Sequence, residues 1–480
     1  MLSLLRSRLL WIAVAVLVFA GLAVHFWLGG YVVRSVVGMA GGSEIRFTQV
    51  RATPWRVVVE GLHFSVRTQE FAARRVTVER EHWWMASLGN VRVEGAQVPV
   101  TLDGSDLDPW QWSTYERGGL GDEPVNLPFQ SLDLEGELIV RMATLADVPV
   151  AVKLEARPKS KASWIGSLVA EAPGFRLAGG GSLLRAGQEL DFQVQSAELD
   201  LETWSGQIQR LVPLPGGPWS MGGKLTGVAE GKVTAKRFAA TARVTLREGR
   251  MHAGTQDVAA TGAKAELEFS DLWKLRTKSG EFRLTELRVG RLPLRNVVAD
   301  FGLWGGQTVI VNSAQFEALG GRATVRPFRY YLNQRTVATT VEVENLEAGT
   351  ILALAEQRLP VQMTGRVDGT VPVQIHEFGV RLERGQLRLH PGTAAELRVN
   401  AALLLRSGAV MPTETLGILK SAGSEPLAIR LGELQFDIRP EGIPLGSSAR
   451  LTAAGETEHG PVSFVFNVNG PVEKYLRVLP

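Results

Sequence analysis

The chain is 480 residues long, with 52 Lys plus Arg against 49 Asp plus Glu and 52 glycines. Charge so nearly balanced, and interleaved with apolar residues, excludes the basic excess of a nucleic-acid-binding protein and the like-charge blocks of disordered tails. There is no cysteine, which removes disulfide frameworks, thiolate-ligated zinc, iron–sulfur clusters, thiol catalysis and a lipid-attachment cysteine.

The first predicted element is a transmembrane helix over residues 9–28, LLWIAVAVLVFAGLAVHFWL, a run without formal charge and of the length that crosses ~30 Å of hydrocarbon. Arg6 and Arg8 precede it and only Arg34 follows closely, so the positive-inside bias puts residues 1–8 in the cytoplasm and the rest beyond the membrane. The run is longer than a signal-peptide core and no small-x-small cleavage site follows, which predicts an uncleaved anchor.

Past Gly42 the pattern has period two. Val76 and Val78 alternate with polar residues, as do Val148, Val150, Val152 and Leu154, then Leu190, Phe192 and Val194, and near the end Val462, Phe464, Phe466 and Val468. Such alternation gives each strand one apolar and one wet face. Glycine-containing breaks at short intervals predict a long antiparallel meander. Three segments have helical patterns: residues 201–214, 345–359 and 412–423. The first two lead into similar glycine-framed strands, GKLTG at Gly223 and GRVDG at Gly365. Similar turns follow, LREGRM from Leu246 and LERGQL from Leu382. A recurrence at a similar spacing indicates a repeated unit. The predicted organisation is therefore a membrane-proximal β segment at 43–198, a first helix-plus-strands repeat at 199–343 and a second at 344–480.

The search for chemistry is negative. There is no G-x-S-x-G, H-E-x-x-H or H-x-H, and the letters GGKL around Gly223 lack the Ser or Thr of a phosphate loop. The cluster Asp103, Asp106 and Asp108 lacks the glycine and closing glutamate of a calcium loop and reads as an exposed turn. Trp55, Trp83, Trp84, Trp110 and Trp112 fit either a membrane interface or ordinary packing. An enzyme, such as a polysaccharide hydrolase, needs paired carboxylates in a polar cleft, and no such pair is found. The prediction is a non-enzyme with neither cofactor nor metal.

What is left is an apolar face with no catalyst. A second sheet would close it into a sandwich; left uncovered, it forms an open trough that offers acyl chains a water-free path. The lipid-groove candidates are Val367, Val371, Val373, Ile375, Val380, Leu382, Leu387, Leu389, Phe464 and Phe466.

The segment from about Glu344 to Pro480 carries a resemblance. TGRVDGTVPVQ, the turn RGQLRLHPG ending at Gly392 and the final GPVSFVFNV are similar to the YdbH-like domain of the AsmA-like superfamily, the group that also includes TamB. The resemblance implies an elongated β-meander curled into an open apolar groove, bridge-like, with a few short helices. It further implies an inner-membrane-anchored periplasmic protein of a diderm bacterium that passes phospholipids towards the outer membrane. A dicarboxylate carrier, the family's older label, needs a path lined by several helices, whereas one is predicted here. The alternative to lipid transfer is a non-enzymatic assembly or scaffold factor for outer-membrane biogenesis. The last strand, VSFVFNVNG, leaves an edge that predicts strand addition by a small outer-membrane lipoprotein or by a second copy. No nucleic-acid partner is expected.

Overall fold

Strands with one apolar and one polar face pair side by side because the pairing aligns like faces. The computed structural model describes residues 42–468 apart from 103–128 and shorter stretches between elements. The predicted transmembrane segment, the cluster Asp103, Asp106 and Asp108, and Trp83, Trp84, Trp110 and Trp112 lie outside the described residues. Among the described residues no helix is long and apolar enough to cross a membrane. The chain divides into two compact units, residues 1–199 with 226–242, and residues 200–225 with 243–480.

In the first unit, β1 (Gly42–Arg46) and β2 (Gln49–Ala52) both pair with β3 (Arg56–Val66). The ladder continues through β4 (Gln69–Glu79), β5 (Leu88–Leu102), β6 (Phe129–Met142) and β7 (Val148–Ser160). It ends with β8 (Ser163–Ala172), β9 (Phe175–Leu184) and β10 (Glu189–Asp200). All these pairings are antiparallel except that of β5 with β6, which is parallel. This corrects the predicted antiparallel meander. Parallel neighbours need a connection of about a dozen residues or more, and 103–128 separates these two strands.

β11 (Trp219–Val233) and β12 (Phe238–Ala253) contribute residues to both units. The second unit then pairs β13 (Val258–Asp271), β14 (Arg276–Val289), β15 (Leu292–Trp304) and β16 (Thr308–Ala318) in order. β16 pairs with β17 (Gly321–Val325) along one half and with β18 (Phe328–Tyr331) along the other. The ladder passes from β17 to β19 (Thr336–Glu347) and, beyond β20 (Val361–Thr364) in sequence, to β21 (Arg366–His376). β21 pairs with β22 (Gly379–Leu382) and β23 (Gly385–Leu389). β20 pairs with β24 (Ala395–Asn400), and β23 and β24 both pair with β25 (Pro426–Glu441), followed by β26 (Gly446–Thr457) and β27 (Gly460–Val468). In neither unit does a described pairing join the last strand to the first, so neither ladder closes.

All three predicted helical segments contain a helix: α1 (Leu201–Leu211), α2 (Ala348–Leu354) and α3 (Thr413–Ser421). Asp200 starts α1, its carboxylate accepting the Glu202 N–H at 3.3 Å and the Thr203 hydroxyl at 2.6 Å. The Thr203 bond above all holds the carboxyl below its ordinary pKa, because it stabilises the ionised form. α1 and α2 are each tied to a glycine-framed strand. The Met221 N–H donates to Ser205 Oγ at 3.1 Å, and the Ala348 N–H to the Gly365 carbonyl at 3.1 Å. The two glycines of the sequence recurrence share a left-handed backbone, φ +120° at Gly223 and +125° at Gly365. A Cβ at Gly223 would meet Gly249 Cα at 2.9 Å, and one at Gly365 the Ala395 Cβ at 2.7 Å. Both positions therefore require glycine, for conformation and for space.

Candidate functional site

Cross-strand register carries apolar residues in unbroken rows. In the first unit one row runs Val59, Val76, Val93, Leu134, Leu154, Leu168, Gly179, Val194 from β3 to β10. The adjacent row on the same face runs Val57, Val78, Val91, Leu132, Ala156, Gly166, Gly181, Phe192. The opposite face carries Thr77, Arg92, Asp133, Glu155 and Ser167 in the same manner. In the second unit a row runs Ala265, Phe282, Ala299, Ala314, Val325, Val341, Val371 from β13 to β21.

Burial differs along these rows. Val59 is 3 % exposed, but from Val76 to Val194 the row is half-buried, and so is the whole row from Ala265 to Val371. Parts of the rows pack on buried clusters: Val76 beside Val57 and Val59, Phe282 beside Ala263 and Leu284, and Val341 and Val371 against the cluster that holds Val367. Burying a Leu or Val fully is worth ~1.5–3 kcal/mol, so each half-covered residue leaves roughly 1 kcal/mol unrealised. An acyl chain, at ~0.8 kcal/mol per buried methylene, matches such a surface, whereas a small polar substrate does not.

Past β19 the same face is sealed. Val367, Leu397, Val399, Ile429 and Phe464 are all at 0 % exposure and share one cluster with Leu387, Phe436, Leu451 and Phe466. α3 closes this cluster with Leu419 at 0 % and Thr415 at 2 % exposure. Thr415 Oγ1 also accepts the N–H of Ser463 in β27 at 3.2 Å, so the helix covers part of the edge strand.

Register brings the ten groove candidates onto this one face. Val373 faces Leu382, Ile375 faces Val380, and Val367 faces Leu389, while Leu387 faces Gly369. Phe464 and Phe466 lie opposite Ala453 and Leu451. Val367, Leu382, Leu387, Phe464 and Phe466 are buried, whereas Val371, Val373 and Leu389 are half-buried; the Ile375 and Val380 side chains lie outside the described residues. The half-buried row residues on β4–β10, β13–β17 and β19 are not among the candidates. The same alternation that singled out Val148 to Leu154 also marks them. Among the described residues, no three His, Asp or Glu side chains gather as a metal requires.

The family whose model matches is described as YdbH-like, intermembrane phospholipid transport protein YdbH, and the match covers residues 41–402. It therefore takes in both rows and ends before α3 and β25. No curated protein and no solved structure matches the chain.

Proposed function

The chain belongs to the YdbH-like family of intermembrane phospholipid transport proteins, and on that premise we propose that it carries phospholipids with their acyl chains laid against the half-buried apolar face. The observation behind this reading is that the rows are continuous across strands yet only half-buried. A sandwich or barrel of this size would bury them. Of the ten candidates, the half-buried Val371, Val373 and Leu389 lie where lipid can reach, whereas Val367, Leu387, Phe464 and Phe466 belong to the sealed cluster and take no part in binding. Native mass spectrometry of the detergent-extracted chain tests this: bound diacyl phospholipid is expected, and protein free of lipid contradicts it.

In this reading residues 9–28 hold the chain in the inner membrane and everything from about Gly42 lies in the periplasm. A reporter fused after Pro480 is expected to be active only if it works outside the cytoplasm. Activity of a cytoplasm-only reporter contradicts the placement.

The β27 edge remains the proposed site of strand addition by an outer-membrane lipoprotein or a second copy. α3 holds the Ser463 end of that edge, and in this reading the partner strand pairs along Phe464–Val468. Thr415→Val strands the Ser463 N–H without an acceptor, so about 1–2 kcal/mol of stability in urea unfolding is expected to be lost. Lipid retention on the apolar face is expected to stay at the wild-type level.

A further inference from the structure

We propose that the first unit carries a docking site for the phosphate of a phospholipid headgroup, on the polar side of the sheet at the rim where the strands end. The identity of the phosphate as a headgroup rests on the lipid-carrying reading above; the anion site itself does not.

A cavity of about 570 Å³ opens there, bordered by four arginines, Arg56, Arg75, Arg92 and Arg157. They come from different strands. Arg56 is the first residue of β3 and pairs in register with Glu79, the last of β4. Arg92 is on β5, and Arg157 sits near the end of β7 beside Pro158, which faces Trp164. The cavity thus lies toward the strand ends on the face opposite the apolar rows, and in this proposal the headgroup reaches it over that rim.

Three acidic residues also border the cavity, and two of them are engaged. Glu79 accepts the Asn90 amide at 3.3 Å, Asn90 in turn accepts the Ser131 hydroxyl at 2.6 Å, and Asp133 lies 3.7 Å from Arg92. Arg157 reaches outward to Glu155 at 3.4 Å. Arg75 is flanked in register by Glu60 and Glu94, yet its Nε is buried and makes no hydrogen bond. Thr77, two residues along β4 from Arg75 and on the same face, is 5 % exposed, an unusual burial for a polar residue on the wet side of a strand. A buried guanidinium N–H without an acceptor is costly, and its planar fork suits a phosphate better than any other common anion except carboxylate. The phosphate chosen is a lipid's because the site is at the rim of a surface built for acyl chains.

The test uses the full chain in amphipol, titrated with inorganic phosphate and with dihexanoylphosphatidylglycerol and followed by 31P NMR. Arg75→Gln and Arg157→Gln are made separately, because the Arg157 side chain is 66 % exposed and its replacement does not endanger folding. Each is expected to weaken both ligands about tenfold. Weakening of phosphate alone, with lipid affinity unchanged, overturns the headgroup assignment. No phosphate binding to wild type overturns the site. Leu154→Asp separates the two readings: it is expected to reduce lipid but not phosphate binding. If it leaves lipid binding unchanged, the acyl-chain reading fails while the arginine site stands.

Discussion

Leu154→Asp is expected to reduce phospholipid binding and transfer more than tenfold while leaving the melting temperature within a few degrees of wild type. Leu154 stands in the middle of the β3–β10 row, between Leu134 and Leu168, and is half-buried. A carboxylate there points into whatever occupies the face. Water occupies it when no lipid is bound, so the ionised group keeps hydration and the backbone ladder keeps its hydrogen bonds. With acyl chains present the same charge is stripped of water, which is strongly disfavoured. Binding is therefore penalised and folding is not. Val373→Asp, at a half-buried position opposite Leu382, is expected to behave in the same way but with a larger loss of stability, since Leu382 is only 9 % exposed. Parallel thermal unfolding and vesicle-to-vesicle transfer on the two variants check both expectations. Unfolding of Leu154→Asp at low temperature would mean that the face is a packed core.

Phe464→Ala is expected to cost about 3–5 kcal/mol in denaturant unfolding, because removing a fully buried aromatic ring adds a cavity to the lost transfer free energy. Phe464 is at 0 % exposure, opposite Ala453, with its ring 6.2 Å from that of Phe466. Other members of its cluster, Leu397, Ile429 and Leu451, are held in place by strand pairing and do not collapse into the space. Leu168→Ala, on the half-buried row, is expected to cost far less, because water already reaches the site. Equal losses at the two positions would erase the distinction between an open stretch and a closed end.

Much of this is legible in the sequence. Strict alternation in VPVAVKLEA put Val148, Val150, Val152 and Leu154 on one face because the side-chain period of a strand is two, and register then extended that face across neighbours. Helices α1, α2 and α3 fall within the helical patterns of residues 201–214, 345–359 and 412–423. The parallel pairing of β5 with β6 was not legible, since strand direction is set by the connection and leaves no mark on the alternation. Nor was the sealing beyond β19. Val371 and Val367 read identically in sequence, and only the layer brought by α3 and β24–β27 separates a half-buried residue from a buried one. Left-handed residues without glycine, such as Asn296 at φ +49° and Glu248 at φ +53°, gave no warning either. The convergence of Arg56, Arg75, Arg92 and Arg157 leaves no mark in the sequence, because it depends on how β3, β4, β5 and β7 pair. The family likeness was read from residues 344–480, whereas the match spans 41–402; strand-and-turn motifs recur along the chain, so the signal is spread rather than confined to its end.

The most direct measurement is site-specific photocrosslinking in cells, with a photoreactive amino acid placed in turn at positions 154 and 282 on the apolar face and at 155 and 283 on the polar face. Leu154 and Phe282 lie on the half-buried rows of the two units, and Glu155 and Arg283 are their immediate neighbours on the opposite side. Phospholipid adducts from 154 and 282, with none from 155 and 283, is the predicted result. Adducts from all four positions alike, or from none, would contradict a lipid path along this face.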